Sequence, residues 1–112
     1  MILLDSSVLI DLFRKKEKDK TLFYRLSQAY SGLSISSVSY YEIGIGNRNA
    51  HTLHWEALSE NLSVIPFDRK CADSAVRIYL ELLRVNKMID LADILIGATA
   101  VAHDIPIATL NI

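Results

Sequence analysis

Met1-Ile2-Leu3-Leu4-Asp5-Ser6-Ser7-Val8-Leu9-Ile10-Asp11 opens the chain. Ile2 to Leu4 run without a polar break, the pattern of a strand covered on both faces. Asp5 follows at the strand's carboxyl end. Ser6 and Ser7 then offer N-caps to a new apolar run of Val8, Leu9, Ile10, Leu12 and Phe13. In open parallel α/β sheets, ligands bind just outside the carboxyl ends of the strands. Asp5 is therefore either a helix cap or a site carboxylate, and these residues alone leave both readings open.

The chain has 112 residues, the size of one domain, and 51% of them are hydrophobic, enough to build a core. No apolar run approaches the roughly 20 residues that span a bilayer. The N-terminus carries an acid at position 5 and no basic region before a long apolar stretch, so no signal peptide is expected. The single cysteine, Cys71, cannot form an internal disulfide, which fits a reducing cytoplasm. It lies in a helical run and reads as a buried thiol rather than a nucleophile. A net charge of −1 does not mark a nucleic-acid binder. Arg14, Lys15, Lys16, Lys18 and Lys20 nevertheless crowd one segment. That cluster reads first as a solvated linker between helices, and second as a contact for phosphates.

Hydrophobic spacing orders the rest. Thr21 to Tyr30 predicts a helix, Leu33 to Ile35 a second strand, and Ser36-Ser37 a second strand-to-helix switch. Ser39 and Glu42 match a capping box, with Ser36 or Ser37 as the alternative cap. That helix should stop near Gly46-Asn47. Ala50 to Asn61 predicts another helix, and Leu62 to Ile65 a third strand. Asp68 caps the longest helix, whose apolar face would comprise Ala72, Ala75, Val76, Tyr79, Leu80, Leu82 and Leu83, ending at Asn86-Lys87. Ile89 to Ala102 is an almost wholly apolar helix, largely buried. Ile105 to Thr109 closes the chain as a fourth strand. This order predicts an α/β sandwich with a mainly parallel sheet.

Three acids sit where a folding chain should resist them: Asp5 after the first strand, Glu42 in the helix after the second, and Asp93 inside the apolar helix. Buried carboxylates are costly unless paired, hydrogen-bonded or bound to a cation. Converging acids suit Mg²⁺ or Mn²⁺, and the lack of a clear Cys/His set argues against structural zinc. His51, His54 and His103 show no partner at ligand or triad spacing and read as surface or packing residues. Asp90 reads as a cap or surface acid, and Asp11 as solvent-facing. Trp55, Tyr40, Tyr41 and Tyr79 read as core, with a surface for an oligomer or another protein as the alternative.

The chain resembles PIN-domain ribonucleases, most closely the VapC-like toxins of toxin–antitoxin pairs. Leu4 to Asp11 resembles the family's first motif, Ile35 to Ile43 with Gly46 the second, Ile89 with Asp93 to Ala98 the third, and Ala108-Thr109-Leu110-Asn111 the start of the fourth. Gly97 stands where the family more often has Ala. The resemblance implies a three-layer α/β/α sandwich and Mg²⁺- or Mn²⁺-dependent hydrolysis of RNA by a cytoplasmic enzyme. It assigns the metal and the catalysis to Asp5, Glu42 and Asp93, with Ser6, Ser7, Thr109 and Asn111 in support. Arg14, Lys15, Lys16 and Arg48 would contact the RNA backbone. An antitoxin and a second copy of the chain are the expected partners, with Phe13, Phe23 and Leu26 as a groove for the antitoxin and no membrane involved. The expected unit is one PIN-like domain over residues 1–112, lacking the family's usual C-terminal end: family members place Asp or Asn at this position and continue for roughly a dozen residues or more, often with a further acid, whereas this chain has the neutral Asn111 and stops at Ile112. An inactive PIN scaffold that only binds partners is the other reading. A receiver-like phospho-acceptor domain would need adjacent acids after the first strand, and these are absent.

Overall fold

The first strand, β1 (Ile2–Leu4), is hydrogen-bonded on both edges. The computed structural model describes residues 1–46 and 52–110, with side chains from Trp55 onward in the second stretch. The expectations for Arg48, His51 and Asn111 lie outside the described residues, as does the side chain of His54. On one side β1 pairs with β2 (Leu33–Ser36), which pairs with β3 (Ser63–Ile65); on the other it pairs with β4 (Ile107–Ala108). The order is β3-β2-β1-β4 and every pairing is parallel. β4 is shorter than the 105–109 run expected, because Pro106 has no N–H to extend the ladder.

Parallel strands need long crossovers, and six α-helices among the described residues supply them: α1 (Ser6–Arg14), α2 (Leu22–Ala29), α3 (Ser37–Gly46), α4 (Thr52–Ser59), α5 (Arg69–Arg84) and α6 (Leu91–Ala102). From β1 through β3 the chain moves steadily in one direction across the sheet. It then doubles back over two strands to β4. Right-handed crossovers place the first four helices on one face and α5–α6 on the other. The cores agree. Ile2 and Leu4 pack with Val8, Leu9, Leu12, Ile35, Ile43, Trp55 and Leu62 on one side, and Leu3 packs with Ile96 and Ala100 on the other. The molecule is the three-layer α/β/α sandwich that the sequence predicts. No helix among the described residues is long and apolar enough to cross a membrane.

Two expectations about packing fail. Helix α5 buries Cys71, Ser74 and Ala75, with Ile78 and Leu82 half-buried, against α6. Val76, Tyr79, Leu80 and Leu83 are all exposed instead. The apolar arc of α5 is wider than the one helix it packs on, so spacing alone identified a stripe without saying which part is covered. Tyr40 and Tyr41 are likewise exposed, while Trp55 is core and holds Phe13 edge-on at 6.3 Å between ring centroids. Within α6, Ile94, Ile96, Ala98, Thr99 and Ala100 are buried as expected, but Leu91 and Val101 face outward. The helix ends where Asp104 takes a positive φ of 51° and Ile105 N–H bonds back to Ala100 carbonyl at 3.0 Å.

Gly97 lies inside α6, and a Cβ built there meets no atom within 4 Å. Glycine costs a helix interior about 0.5–1 kcal/mol relative to alanine. Gly97→Ala should therefore raise stability by about that amount, read as a higher urea midpoint at unchanged m-value.

Candidate active site

Asp5 leaves β1 in extended conformation and N-caps α1, so the cap reading is correct as far as it goes. Its Oδ2 accepts from the Ser7 hydroxyl at 2.7 Å, the Ser7 amide at 3.4 Å and the Thr109 hydroxyl at 3.0 Å. Ser7 Oγ in turn accepts the Leu110 amide at 3.0 Å. The Asp5 amide donates to Ala108 carbonyl at 2.9 Å. The ends of β1 and β4 are thereby sewn together around one carboxylate oxygen. Asp5 is only 6% exposed, and no hydrogen bond among the described residues reaches its Oδ1. A cap needs one oxygen. The second is in excess of what the helix requires.

The strand order gives that oxygen a setting. Chain direction across the sheet reverses between β1 and β4, the switch point where open α/β sheets leave a crevice. A cavity of about 380 Å³ opens there, lined by Asp5, Asp93, Thr109, Gly97 and the apolar walls Ile89, Ile96 and Ile107. Asp93 enters it from the first turn of α6. Burial, then the charge of Asp5, then that of Asp90 push the Asp93 carboxyl above its ordinary value. A helix N-terminus favours an acid and would act the other way, so desolvation and repulsion prevail here.

Glu42 is half-buried beside this pair rather than inside the cavity. Its Oε1 accepts the Ser6 hydroxyl at 3.2 Å, which links it to the residue after Asp5. It lines a neighbouring cleft with Ser37, Val38, Tyr41 and the α6 residues Leu91, Ala92 and Leu95. Glu42 does not spend itself on a capping box. Ser36 caps α3 instead, its Oγ accepting the Ser39 amide at 3.0 Å. Asp90 is the N-cap residue of α6, although its side chain makes no cap hydrogen bond.

Asp11 departs from expectation: its side chain is 15% exposed and ion-paired with Lys15 at 3.2 Å, not turned to solvent. Arg14, Lys15 and Lys16 are exposed near the far end of α1, about 13 Å of helix rise from Asp5. Lys18 is not available for phosphates, because its Nζ donates to Leu12 carbonyl at 2.6 Å and closes the end of α1. Phe13, Phe23 and Leu26 are half-buried against the core.

His103 also requires correction. Its Nε2 lies 3.6 Å from Asp68 Oδ2, and ligand atoms of Asp68, Cys71 and His103 all lie within 4.8 Å of one another. The missing signal was tertiary. Asp68 and Cys71 are one helical turn apart, but His103 reaches them only because α6 runs back along α5.

The sequence matches the family model for the PIN domain over residues 2–112. The chain belongs to the PIN-domain family. A comparison with curated proteins found no match. Solved structures share this PIN fold. The DNA-bound VapBC of Salmonella typhimurium is similar at a TM-score of 0.86 and 22% identity, covering 99% of this chain and 88% of that one. VapBC2 of Rickettsia felis, bound to a promoter DNA fragment, is similar at 0.80 and 22% identity with the same coverage. FitAcB of Neisseria gonorrhoeae is similar at 0.74 and 23% identity, covering 97% and 86%.

The raised Asp93 carboxyl has a thermodynamic consequence for the metal-free PIN domain. A carboxyl whose value is raised by folding binds its proton more tightly folded than unfolded. It favours the fold while protonated, and that contribution is lost as pH rises from the ordinary aspartate range through the raised value. Asp93→Asn removes the repulsion. In thermal melts with EDTA the variant should melt above the parent at neutral pH, and the gap should close below the ordinary aspartate range.

Proposed function

We propose that this PIN domain is an Mg²⁺- or Mn²⁺-dependent endoribonuclease and the toxin of a toxin–antitoxin pair. The observation that carries this reading is the pair Asp5 and Asp93, two acids facing one cavity at the switch point of the sheet. A hard divalent cation relieves such a pair, and an all-oxygen donor set suits Mg²⁺ or Mn²⁺. Asp5 and Asp93 would hold it directly, with Glu42 completing the set from the adjacent cleft. When bound, the cation supplies positive charge that acidifies water and offsets charge growing on a phosphate.

The chain's own residues do the positioning. Ser7 and Thr109 fasten Asp5 Oδ2 and so fix the direction in which Oδ1 is offered. Ser6 holds Glu42 beside the pair. Asn111, next after Leu110, adds a neutral oxygen donor in this reading. The exposed Arg14, Lys15 and Lys16, with Arg48, hold the RNA backbone. The working unit is the whole of residues 1–112, acting in the cytoplasm.

Two partners follow. Similar structures from Klebsiella pneumoniae and Mycobacterium tuberculosis are a toxin–antitoxin complex and a member of the VapBC family of toxin–antitoxin systems, which supports an antitoxin for this chain. A second copy is supported by the outer stripe of α5, where Val76, Tyr79, Leu80 and Leu83 form an apolar surface of the kind that marks protein interfaces. Leu80→Asp, at a site 56% exposed, should leave the fold intact and turn a dimer into a monomer in sedimentation.

Cleavage of a structured RNA such as tRNA should require added Mg²⁺ or Mn²⁺ and stop with EDTA. Asp5→Asn and Asp93→Asn should each lower kcat/KM by about 100-fold or more, the scale seen when a preorganised charge-stabilising group is lost. Full activity in either variant would sink the assignment. A folded parent that binds its antitoxin yet cleaves no RNA with either metal would favour the inactive-scaffold reading.

A further inference from the structure

Asp68, Cys71 and His103 form a second cluster, well away from the acids. Asp93 and His103 lie at opposite ends of α6, about 15 Å apart along its axis. Asp68 is the N-cap of α5, Cys71 stands in its first turn, and His103 is the C-cap residue of α6. We propose that these three side chains form a site for a thiophilic divalent cation such as Zn²⁺, which staples the start of α5 to the end of α6.

Four observations converge. The donor set is one thiol, one imidazole and one carboxylate, a combination soft enough to prefer zinc over magnesium. All three donor atoms fall within 4.8 Å of each other. His103 Nε2 is buried and makes no hydrogen bond among the described residues, although it points at Asp68 Oδ2 from 3.6 Å. That separation is too long for a hydrogen bond. It is close to the edge of a zinc tetrahedron, roughly 3.3–3.7 Å for bond lengths of about 2.0–2.3 Å.

Asp68 is also held in place. Its Oδ1 accepts the Cys71 amide at 3.1 Å, which fixes the carboxylate and leaves Oδ2 on the side of His103. This is the outer hydrogen bonding that orients metal-binding carboxylates. Cys71 is fully buried, with its thiol donating to Pro66 carbonyl at 3.6 Å, whereas Asp68 and His103 keep 43% and 28% of their side chains exposed. A cation therefore enters from solvent over Asp68 and His103 and meets sulfur at the inner wall. The thiol proton leaves to solvent on ligation, and water fills the fourth position.

The test is a Co²⁺ titration of the full chain in excess Mg²⁺, followed by displacement with Zn²⁺. The expected result is a thiolate-to-cobalt charge-transfer band with four-coordinate d–d absorption, erased by Zn²⁺, and a higher Tm with Zn²⁺. Cys71→Ser should abolish the band. Asp68→Asn preserves the helix cap and His103→Ala removes a partly exposed ring, so both should fold even if Cys71→Ser does not. Loss of an outer-shell partner alone typically costs about 10- to 100-fold in affinity, so each should weaken Co²⁺ binding by at least that. The thiolate band should be unchanged in Asp93→Asn, whose carboxylate lies at the other end of α6. Absence of the thiolate band overturns the proposal. So does a band undiminished in Asp68→Asn and His103→Ala, which would mean a lone thiol binding cobalt.

Discussion

Two-sided burial of β1 is the constraint on which the molecule rests. Leu3 and Leu4 are both fully buried, on opposite faces, and the strand has partners along both edges. A strand in that position has no polar face to offer, so its first carboxylate appears only where the strand ends. Asp5 cannot retreat into solvent, because α1 begins at the next residue and β4 closes the other side. Its Oδ2 is satisfied by the donors Ser7 and Thr109, and its other oxygen is left for whatever enters the crevice. The architecture that stabilises the sheet is thus the one that forces a charged group into the switch-point crevice.

This explains what the sequence disclosed and what it withheld. Ile2-Leu3-Leu4-Asp5-Ser6-Ser7 is local information, and a local rule covers each part: strand, acid at the carboxyl end, helix cap. The same holds for Asp68 as the cap of α5 and for Asp104 as the stop of α6. The parallel sheet was legible too, since long helical crossovers leave few alternatives. The errors arose where a residue's fate depends on which element lies opposite. Spacing assigns Val76, Tyr79, Leu80 and Leu83 to an apolar stripe, but only the path of α6 decides that the neighbouring stripe is the covered one. Asp11 is held by Lys15 at a distance that sequence spacing permits without requiring. His103 meets Asp68 only through the antiparallel return of α6 along α5.

The acids repeat the lesson at higher resolution. Glu42 was grouped with Asp5 and Asp93 because all three are acids in apolar company. The described geometry is less uniform: Asp5 and Asp93 share a cavity, whereas Glu42 lines the neighbouring cleft and is held by the hydroxyl of Ser6, the residue after Asp5. A carboxylate set arranged this way keeps its strongest repulsion between two members. The third stands aside, half-exposed, where its charge costs little. The cap of α3 falls to Ser36, and this releases Glu42 from the structural duty that its spacing with Ser39 suggested.

Helix α6 carries the consequences of both arrangements. Its apolar body is fixed between the sheet and α5 by Ile94, Ile96, Ala98 and Ala100, and its polar chemistry is confined to its ends. At the start, Asp93 sits close enough to Asp5 for the two charges to oppose folding. At the finish, His103 sits opposite Asp68 with a buried nitrogen that lacks a hydrogen bond. Among the described residues, no hydrogen bond relieves either strain. Both are of the sort that a cation relieves, and the donors differ: oxygens at one end, sulfur and imidazole nitrogen with a carboxylate at the other. A helix this apolar gains nothing from polar residues at its ends except through what those ends bind or cap, and Asp93 and His103 lie beyond what capping explains.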